Sequence, residues 1–514
     1  MKNIITLILF IGILLNVSCQ NKKVGISRNY LIKKLEKAEN SKDLKQIEYI
    51  YDENAILYTD EIPPIKGKTA IASIYNFMFT KQNIDFVKYS IDSTFEEQNK
   101  HIELGKLITK KAEQPSDTSD FKTVFKQKED AYKITEINFG KEEKIKLETP
   151  KLLEPTGNYQ IGQTTHYFDK TGDKNNRTIA FQIWYPTQTI SDTKITYQSK
   201  EVVKASANFL GFPLFMISYF SLIESNSYPN TSVYPNIKFP ILLYNHGYGG
   251  FTSVYQTVFE DLASHGYIVV SVAHENESAL FITEEGKVIT NNPNNNFYKS
   301  RSVELSGLKI GELQSIILNS NNPKENHEAY KELIKLSPLH NKSTQLWAND
   351  TKKVIEKLKF LNITDANLKG SFDFKNIGVF GHSVGGATAG QLASENNQIK
   401  AGINLDGFQF GNLINNKLKV PFMFVSSNPE GNGYLRALTF MDKSVTECYQ
   451  VTIKGFSHSS FTDLEYFLQE NSRMITLQRE LIRDFFDKFI KKSDTSFMAL
   501  ERKYPELTIS TFND

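Results

Sequence analysis

Apolar positions recur at helical spacing twice near the start of the chain: Leu31, Leu35 and Ala38, then Leu44, Ile47 and Tyr51 after the cap candidate Ser41. Residues three and four apart share one face of a helix, so each run predicts a helix with a single buried stripe. Runs of strand character follow at 55–59, 84–91, 102–109, 121–125 and 132–139, with one helical stretch, 69–78, between the first two. Helices first and then strands joined by short turns predict an α+β cone over residues 24–140.

The pattern stops at 141–155, a charged stretch without periodicity that contains Pro150 and Pro155 and reads as a linker. From residue 156 to 514 it changes character. Strand candidates at 161–168, 179–185, 240–245, 267–272, 377–380, 401–405, 421–426 and 449–453 alternate, from the third onward, with helical stretches such as 254–264, 346–361, 384–394 and 475–491. Nearly continuous apolar strands separated by helices predict α/β architecture, a mostly parallel sheet covered on both faces. Two stretches interrupt this rhythm. Residues 205–223 are apolar and aromatic yet carry Asn208 and Pro213, which fits either a helical cap forming a pocket wall or a plain core helix. Residues 291–296 form an Asn-rich turn.

A chain of 514 residues exceeds what one core comfortably serves, which agrees with two units. Sixty Lys and Arg against 58 Asp and Glu leave no electrostatic footprint for nucleic acid, so the partner expected is a small molecule or lipid. The first segment reads Met1-Lys2, an apolar run from Ile4 to Leu15, then Asn16-Val17-Ser18-Cys19. A basic end, a short apolar region and small residues before cysteine resemble a bacterial lipoprotein signal over residues 1–19. Lipidation at Cys19, export, and membrane attachment through the lipid are the expectations. Asn16 stands where such signals usually carry leucine. With Cys19 so used, Cys448 has no partner for an intramolecular disulfide. The segment "YDENAILYTDEIPPIKGKTAI" and the element order around it resemble the nuclear transport factor 2-like (SnoaL-like) fold, which leaves oligomerisation through the first unit open.

The sharpest chemical signal is Gly381-His382-Ser383-Val384-Gly385-Gly386, between the apolar strand "NIGVF" and the helical "ATAGQLAS". A serine on a tight strand-to-helix turn has its hydroxyl exposed, and the helix N-terminus favours the oxyanion that forms on attack. Upstream, "FPILLYNHG" runs into Gly247-Tyr248-Gly249-Gly250, a turn placed to offer a backbone N–H; Tyr248 and Val384 are the candidate oxyanion donors. Of nine histidines only His458 follows Ser383 with a chain order compatible with this elbow, which makes it the candidate base. Two acids compete. Asp406 ends the strand after the elbow helix, and Glu430 follows the next strand.

Seven segments in order resemble the platelet-activating factor acetylhydrolase family: "PTGNYQIG", "IWYP", "FPILLYNHGYGG", "LASHGYIVVSVAHE", "GVFGHSVGGATAGQL", "GINLDGF" and "GFSHSSFTDL". The resemblance covers the C-terminal 350 or so residues. It implies an α/β-hydrolase fold, a catalytic triad of Ser383, Asp406 and His458, an oxyanion hole at Tyr248 and Val384, no metal and no cofactor, and short-chain acyl or oxidised phospholipid esters as substrates. Val384 stands where the family often has Phe, and Gly407-Phe408 replaces bulkier residues, so the acyl pocket need not match. The alternatives are a dienelactone-hydrolase-like or polyester-type carboxylesterase, a peptidase on the same fold, and a lipoprotein binding module whose hydrolase unit is a non-catalytic scaffold.

Overall fold

The computed structural model describes residues 31–59, 63–81, 84–111, 115–128, 131–140, 151–168, 177–211, 214–282, 287–292, 294, 296–427, 437–469 and 472–511. Cys19 and the whole signal segment, most of the linker at 141–150, and Glu430 lie outside the described residues. The chain divides into two compact units, the first running to residue 145 apart from the short stretch 61–64, the second from 146 onward.

In the first unit α1 (Ile32–Asn40), α2 (Leu44–Ile50) and α3 (Lys68–Lys81) accompany six strands: β1 (Tyr51–Thr59), β2 (Ile65–Lys66), β3 (Ile84–Glu97), β4 (Lys100–Lys111), β5 (Asp117–Lys128) and β6 (Ala131–Phe139). They form one sheet in the order β2-β1-β6-β5-β4-β3. Tyr51, read as the end of the second helical stripe, instead opens β1 with an extended backbone, because Asp43 rather than Ser41 caps α2 and the helix is only two turns long. The strands β3 to β5 run well past their apolar stretches because each is paired along its length. Inside, Glu39 is buried among tyrosines: one of its oxygens accepts from the Tyr89 hydroxyl at 3.0 Å, and the Tyr51 and Tyr75 hydroxyls meet at 2.8 Å.

The second unit carries a ten-stranded sheet. Its strands are β7 (Gln160–Phe168), β8 (Ile179–Thr187), β9 (Ser227–Pro229), β10 (Phe239–Asn245), β11 (Ile268–His274), β14 (Phe372–His382), β15 (Ile399–Leu405), β16 (Phe422–Ser427), β17 (Cys448–Ile453) and β18 (Leu507–Thr511); β12 (Leu280–Ile282) and β13 (Val288–Thr290) make a separate hairpin. The order is β18-β17-β16-β15-β14-β10-β11-β8-β7-β9, parallel from β11 through β10, β14, β15 and β16 to β17. Alternate side chains of β10 explain the two-sided cover. Ile241 and Leu243 face the core formed with α8 (Leu308–Asn319), α9 (Pro323–Leu336), α10 (Pro338–Thr364) and α11 (Val384–Glu395), whereas Leu242 and Tyr244 face α6 (Gln256–Ser264) and α14 (Ser472–Phe489). This is the α/β-hydrolase arrangement.

Three departures from the sequence expectation have physical causes. β14 starts at Phe372, five residues early, because the polar stretch before Ile377 is drawn into pairing with Phe239 and Pro240. The apolar segment 205–223 is not one helix: α4 (Lys200–Leu210), capped by the Ser199 hydroxyl, stops at Gly211 with φ +70°, and α5 (Leu214–Ile217) and a 3-10 turn (Ser218–Leu222) follow. Residues 151–155, placed in the linker by their charge and prolines, lie against the second unit: Leu152 is buried with Tyr197, Phe220 and Phe467, and the buried Arg479 guanidinium donates to the carbonyls of Leu153 and Glu154. The remaining helices are α7 (Asn296–Glu304), α12 (Leu438–Asp442), α13 (Asp463–Gln469) and α15 (Leu500–Lys503). Among the described residues no helix is long and apolar enough to cross a membrane.

Candidate active site

Parallel strands deliver their C-terminal ends to one rim of the sheet, and the candidate residues collect there. β14 ends at His382, α11 begins at Val384, and Ser383 occupies the turn between them with φ +58° and ψ −122°. That conformation is rare for a residue with a side chain and is tolerated only where the surroundings enforce it. Here the Ser383 N–H donates to the Leu405 carbonyl at 2.8 Å, and the Ser383 carbonyl accepts from Gly386 and Ala387 at 2.9 and 3.1 Å. Gly385 must lack a side chain, because a Cβ there would fall 1.9 Å from the carbonyl oxygen of Asn245.

Asp406 follows β15 and also holds a positive φ, +56°. The turn brings its carboxylate, fully buried, against the end of β16. One oxygen accepts from the Ser427 N–H at 2.8 Å; the other accepts from the Ser427 hydroxyl at 2.9 Å and from His458 Nδ1–H at 2.7 Å. His458 opens a short 3-10 turn (His458–Phe461) after β17, held by a capping box between Ser457 and Ser460. Its ring lies 4.4 Å from that of His382, the neighbour of Ser383. His382 is buried, and burial together with the nearby His458 holds its pKa well below the usual imidazole value, so it is neutral.

The loop Gly247–Gly250 lies directly beside the elbow: a Cβ on Gly247 would be 3.1 Å from the Ser383 Cβ. Tyr248 and Val384, the two residues singled out for their backbone N–H groups, therefore flank Ser383 on the loop and at the start of α11. Beneath the loop His246 donates from Nδ1 to the Gly247 carbonyl at 2.7 Å and sets Nε2 2.9 Å from the Ser278 hydroxyl. Burial and the adjacent His274 push the His246 pKa down to about 3, which keeps it a neutral strut. His274 is likewise enclosed, stacked on Trp347 at 4.1 Å and bonded to Asp350, which Arg177 grips through both nitrogens at 2.9 and 2.6 Å.

A cavity of about 690 Å³ opens at this rim. Gly247, Tyr248, His382, Ser427 and His458 line it, together with Phe209 of α4, Ile217 of α5, Phe220 of the 3-10 turn, Phe251 and Val254. Among the described residues no Asp, Glu, Lys or Arg lines it. Of the two readings of segment 205–223, the pocket wall describes where these side chains lie.

Ser427 escaped the sequence reading, although a strand ending in Ser-Ser next to an acid-bearing strand end is a usable signal. The His246–His274 strut left no such trace, since Ser278 and Asp350, which hold it, are distant in the chain.

The family model described as platelet-activating factor acetylhydrolase, isoform II, matches residues 145–489. The platelet-activating factor acetylhydrolase of Canis lupus familiaris is 28% identical over 332 residues, spanning 62% of this chain and 69% of that protein. That of Gallus gallus is 23% identical over 305 residues, spanning 55% and 68%. A ferulic acid esterase from Streptomyces cinnamoneus superposes with a TM-score of 0.54 at 18% identity, covering 71% of this chain and all of the esterase, which shows the shared fold.

Proposed function

Because the chain belongs to the platelet-activating factor acetylhydrolase, isoform II, family and is a serine carboxylic-ester hydrolase, we propose that its chemistry runs through Ser383, His458 and Asp406. The observation that carries this is the 2.7 Å contact of His458 Nδ1–H with Asp406 beside the Ser383 elbow, at the mouth of an apolar cavity. With Nδ1–H given to Asp406, the Nε2 lone pair is the one left to take the Ser383 proton. Ser383 Oγ attacks the ester carbonyl, and the N–H groups of Tyr248 and Val384 hold the resulting oxyanion. His458 returns the proton to the departing alcohol, an acyl-enzyme remains on Ser383, and water activated by the same imidazole releases the acid. Asp406 fixes the tautomer and steadies the imidazolium at both steps.

The substrate we propose is an ester whose portion entering the cavity is uncharged, with short-chain acyl or oxidised phospholipid esters as the class to test. The uncharged cavity lining supports it, since a buried charged group would need a partner there. A fluorophosphonate probe should label the natural chain and not Ser383→Ala, and hydrolysis of acyl-varied glycerophospholipids against aryl and polyester substrates reads the class. Absence of labelling would end the proposal; faster turnover of polyester oligomers than of any phospholipid would replace its substrate class.

The first segment extends the same proposal to location. An exported protein lipidated at Cys19 would meet such esters at a membrane surface. Cys19→Ser should then abolish incorporation of labelled fatty acid and release the protein from membranes, and unchanged labelling would refute the anchor. The first unit, with its helices accompanying a six-stranded sheet, we take as a nuclear transport factor 2-like module.

A further inference from the structure

The loop that carries the Tyr248 N–H is nearly bare of side chains. Gly247, Gly249 and Gly250 surround Tyr248, and Gly249 sits at φ +70°, a region glycine enters freely. The loop is held at its ends, where the Gly250 N–H donates to the Gly247 carbonyl at 3.0 Å, the Gly250 carbonyl accepts from the Ala279 N–H at 2.9 Å and His246 braces the Gly247 carbonyl. Between those ends Tyr248 supplies the loop's own side-chain anchor.

Away from the cavity that side chain is packed and hydrogen-bonded. Its ring meets those of Phe297, His340 and Trp347 edge-on at centroid distances of 5.8, 5.3 and 5.6 Å. Its hydroxyl accepts a hydrogen bond from Arg301 Nε at 3.1 Å. Arg301, on α7, is buried and fixed in turn: Nη2 donates to the Ser343 hydroxyl at 2.9 Å, the guanidinium lies 3.4 Å from the Phe297 ring centroid, and the Glu277 carboxylate is 3.5 Å away. α7 is itself locked to α10, since Glu304 accepts the N–H groups of Leu339 and His340 at 2.7 and 3.0 Å and so caps that helix. A rigid chain of contacts therefore runs from the two helices, through one guanidinium, to the loop beside the nucleophile.

We infer that Arg301 is a positioning residue for ester hydrolysis, acting through the Tyr248 hydroxyl to fix the direction of the Tyr248 N–H. The inference rests on the assignment of that N–H to the oxyanion. A donor aimed where the oxyanion forms stabilises the transition state more than the bound ester, so loosening it lowers kcat and leaves KM in place.

The test uses the full chain. Deleting an oxyanion donor outright costs about 10² to 10³ in turnover, so a donor that is loosened but present should cost less, about 5- to 20-fold in kcat for Tyr248→Phe, with KM within about twofold. Arg301→Met should lower kcat further, and the double variant should be no worse than Arg301→Met, because the two side chains act as one device. A trifluoromethyl ketone, whose adduct on Ser383 bears the oxyanion, should lose affinity in step with kcat. Tyr248→Phe removes one hydroxyl and keeps the ring, so it decides the matter even where Arg301→Met does not fold; circular dichroism melts identify that case. Unchanged kcat in folded Tyr248→Phe, or a raised KM at constant kcat, overturns the inference. Failure of a fluorophosphonate to label Ser383 in the natural chain overturns the assignment beneath it instead, and is seen before any variant is made.

Discussion

Asp406→Asn offers the most direct examination of the triad. The carboxylate accepts three hydrogen bonds with two oxygens, two from Ser427 and one from His458. An amide has one oxygen. If it remains opposite the Ser427 N–H, the new NH₂ faces His458 Nδ1, which must then give up its proton and become an acceptor. The imidazole proton moves to Nε2, and no lone pair is left for the Ser383 hydroxyl. The flipped amide would set NH₂ against the Ser427 N–H, two donors in a dry site, at a cost of about 1–3 kcal/mol, so the first orientation wins. A wrong tautomer costs about 10⁴ in turnover in a related triad. That equals about 5.5 kcal/mol of transition-state stabilisation. The fold should tolerate the change, since shape is kept and a buried charge is removed. Initial rates on a p-nitrophenyl ester, normalised to folded protein by circular dichroism, should therefore fall by about 10³ to 10⁴ for Asp406→Asn, as for Ser383→Ala, while Glu430→Gln stays near the natural rate. The opposite ranking would transfer the acid to Glu430 and refute the tautomer argument.

The cavity and the first unit offer further tests. Gly385→Ala would drive a Cβ to 1.9 Å from the Asn245 carbonyl, so activity should vanish together with a clear fall in melting temperature; an active, stable variant would contradict the close packing of the elbow. Ser206→Leu puts a branched apolar group into the cavity where a buried hydroxyl lacks a partner, and acyl-chain profiling should show the preference moving to shorter chains without loss of stability. Burial pushes the Glu39 carboxyl up to about 8 from 4.5, so the folded first unit keeps a proton that the unfolded chain releases; its stability is full below about pH 4.5 and is lost as pH rises through 8. Glu39→Gln should remove that slope, matching the natural chain in melts at pH 5 and exceeding it at pH 9, and parallel curves would show that Glu39 does not titrate in this range.

How much of this could be read from residues alone depended on whether partners are near in sequence. The elbow was legible because its strand, turn, glycines and helix are contiguous, and His458 because it alone follows Ser383. Asp406 was favoured over Glu430 through family resemblance and a spacing after Ser383 that fits one helix and one strand, since strand-end acids look alike until the Ser427 contacts are seen. The helices at 296–336 went unread because α7 and α9 are largely polar and α8, though apolar, spreads its apolar residues around the helix instead of along one stripe. β9 and β18, three and five residues long, carry too little pattern of their own and exist because a neighbouring strand offers an edge.

The grip of Arg479 on the carbonyls of Leu153, Glu154 and Thr257 has a practical corollary for taking the protein apart. A protease cut ahead of Leu152 leaves that guanidinium with all three acceptors, whereas a cut at Gly157 deprives it of two, each such hydrogen bond to a charged group being worth about 1.5–3 kcal/mol, and leaves it only the Thr257 carbonyl and the Asp261 carboxylate at 3.9 Å. The smallest excisable hydrolase thus begins some residues before its first strand, and a library of nested N-terminal deletions should show a sharp drop in soluble yield between those two starting points.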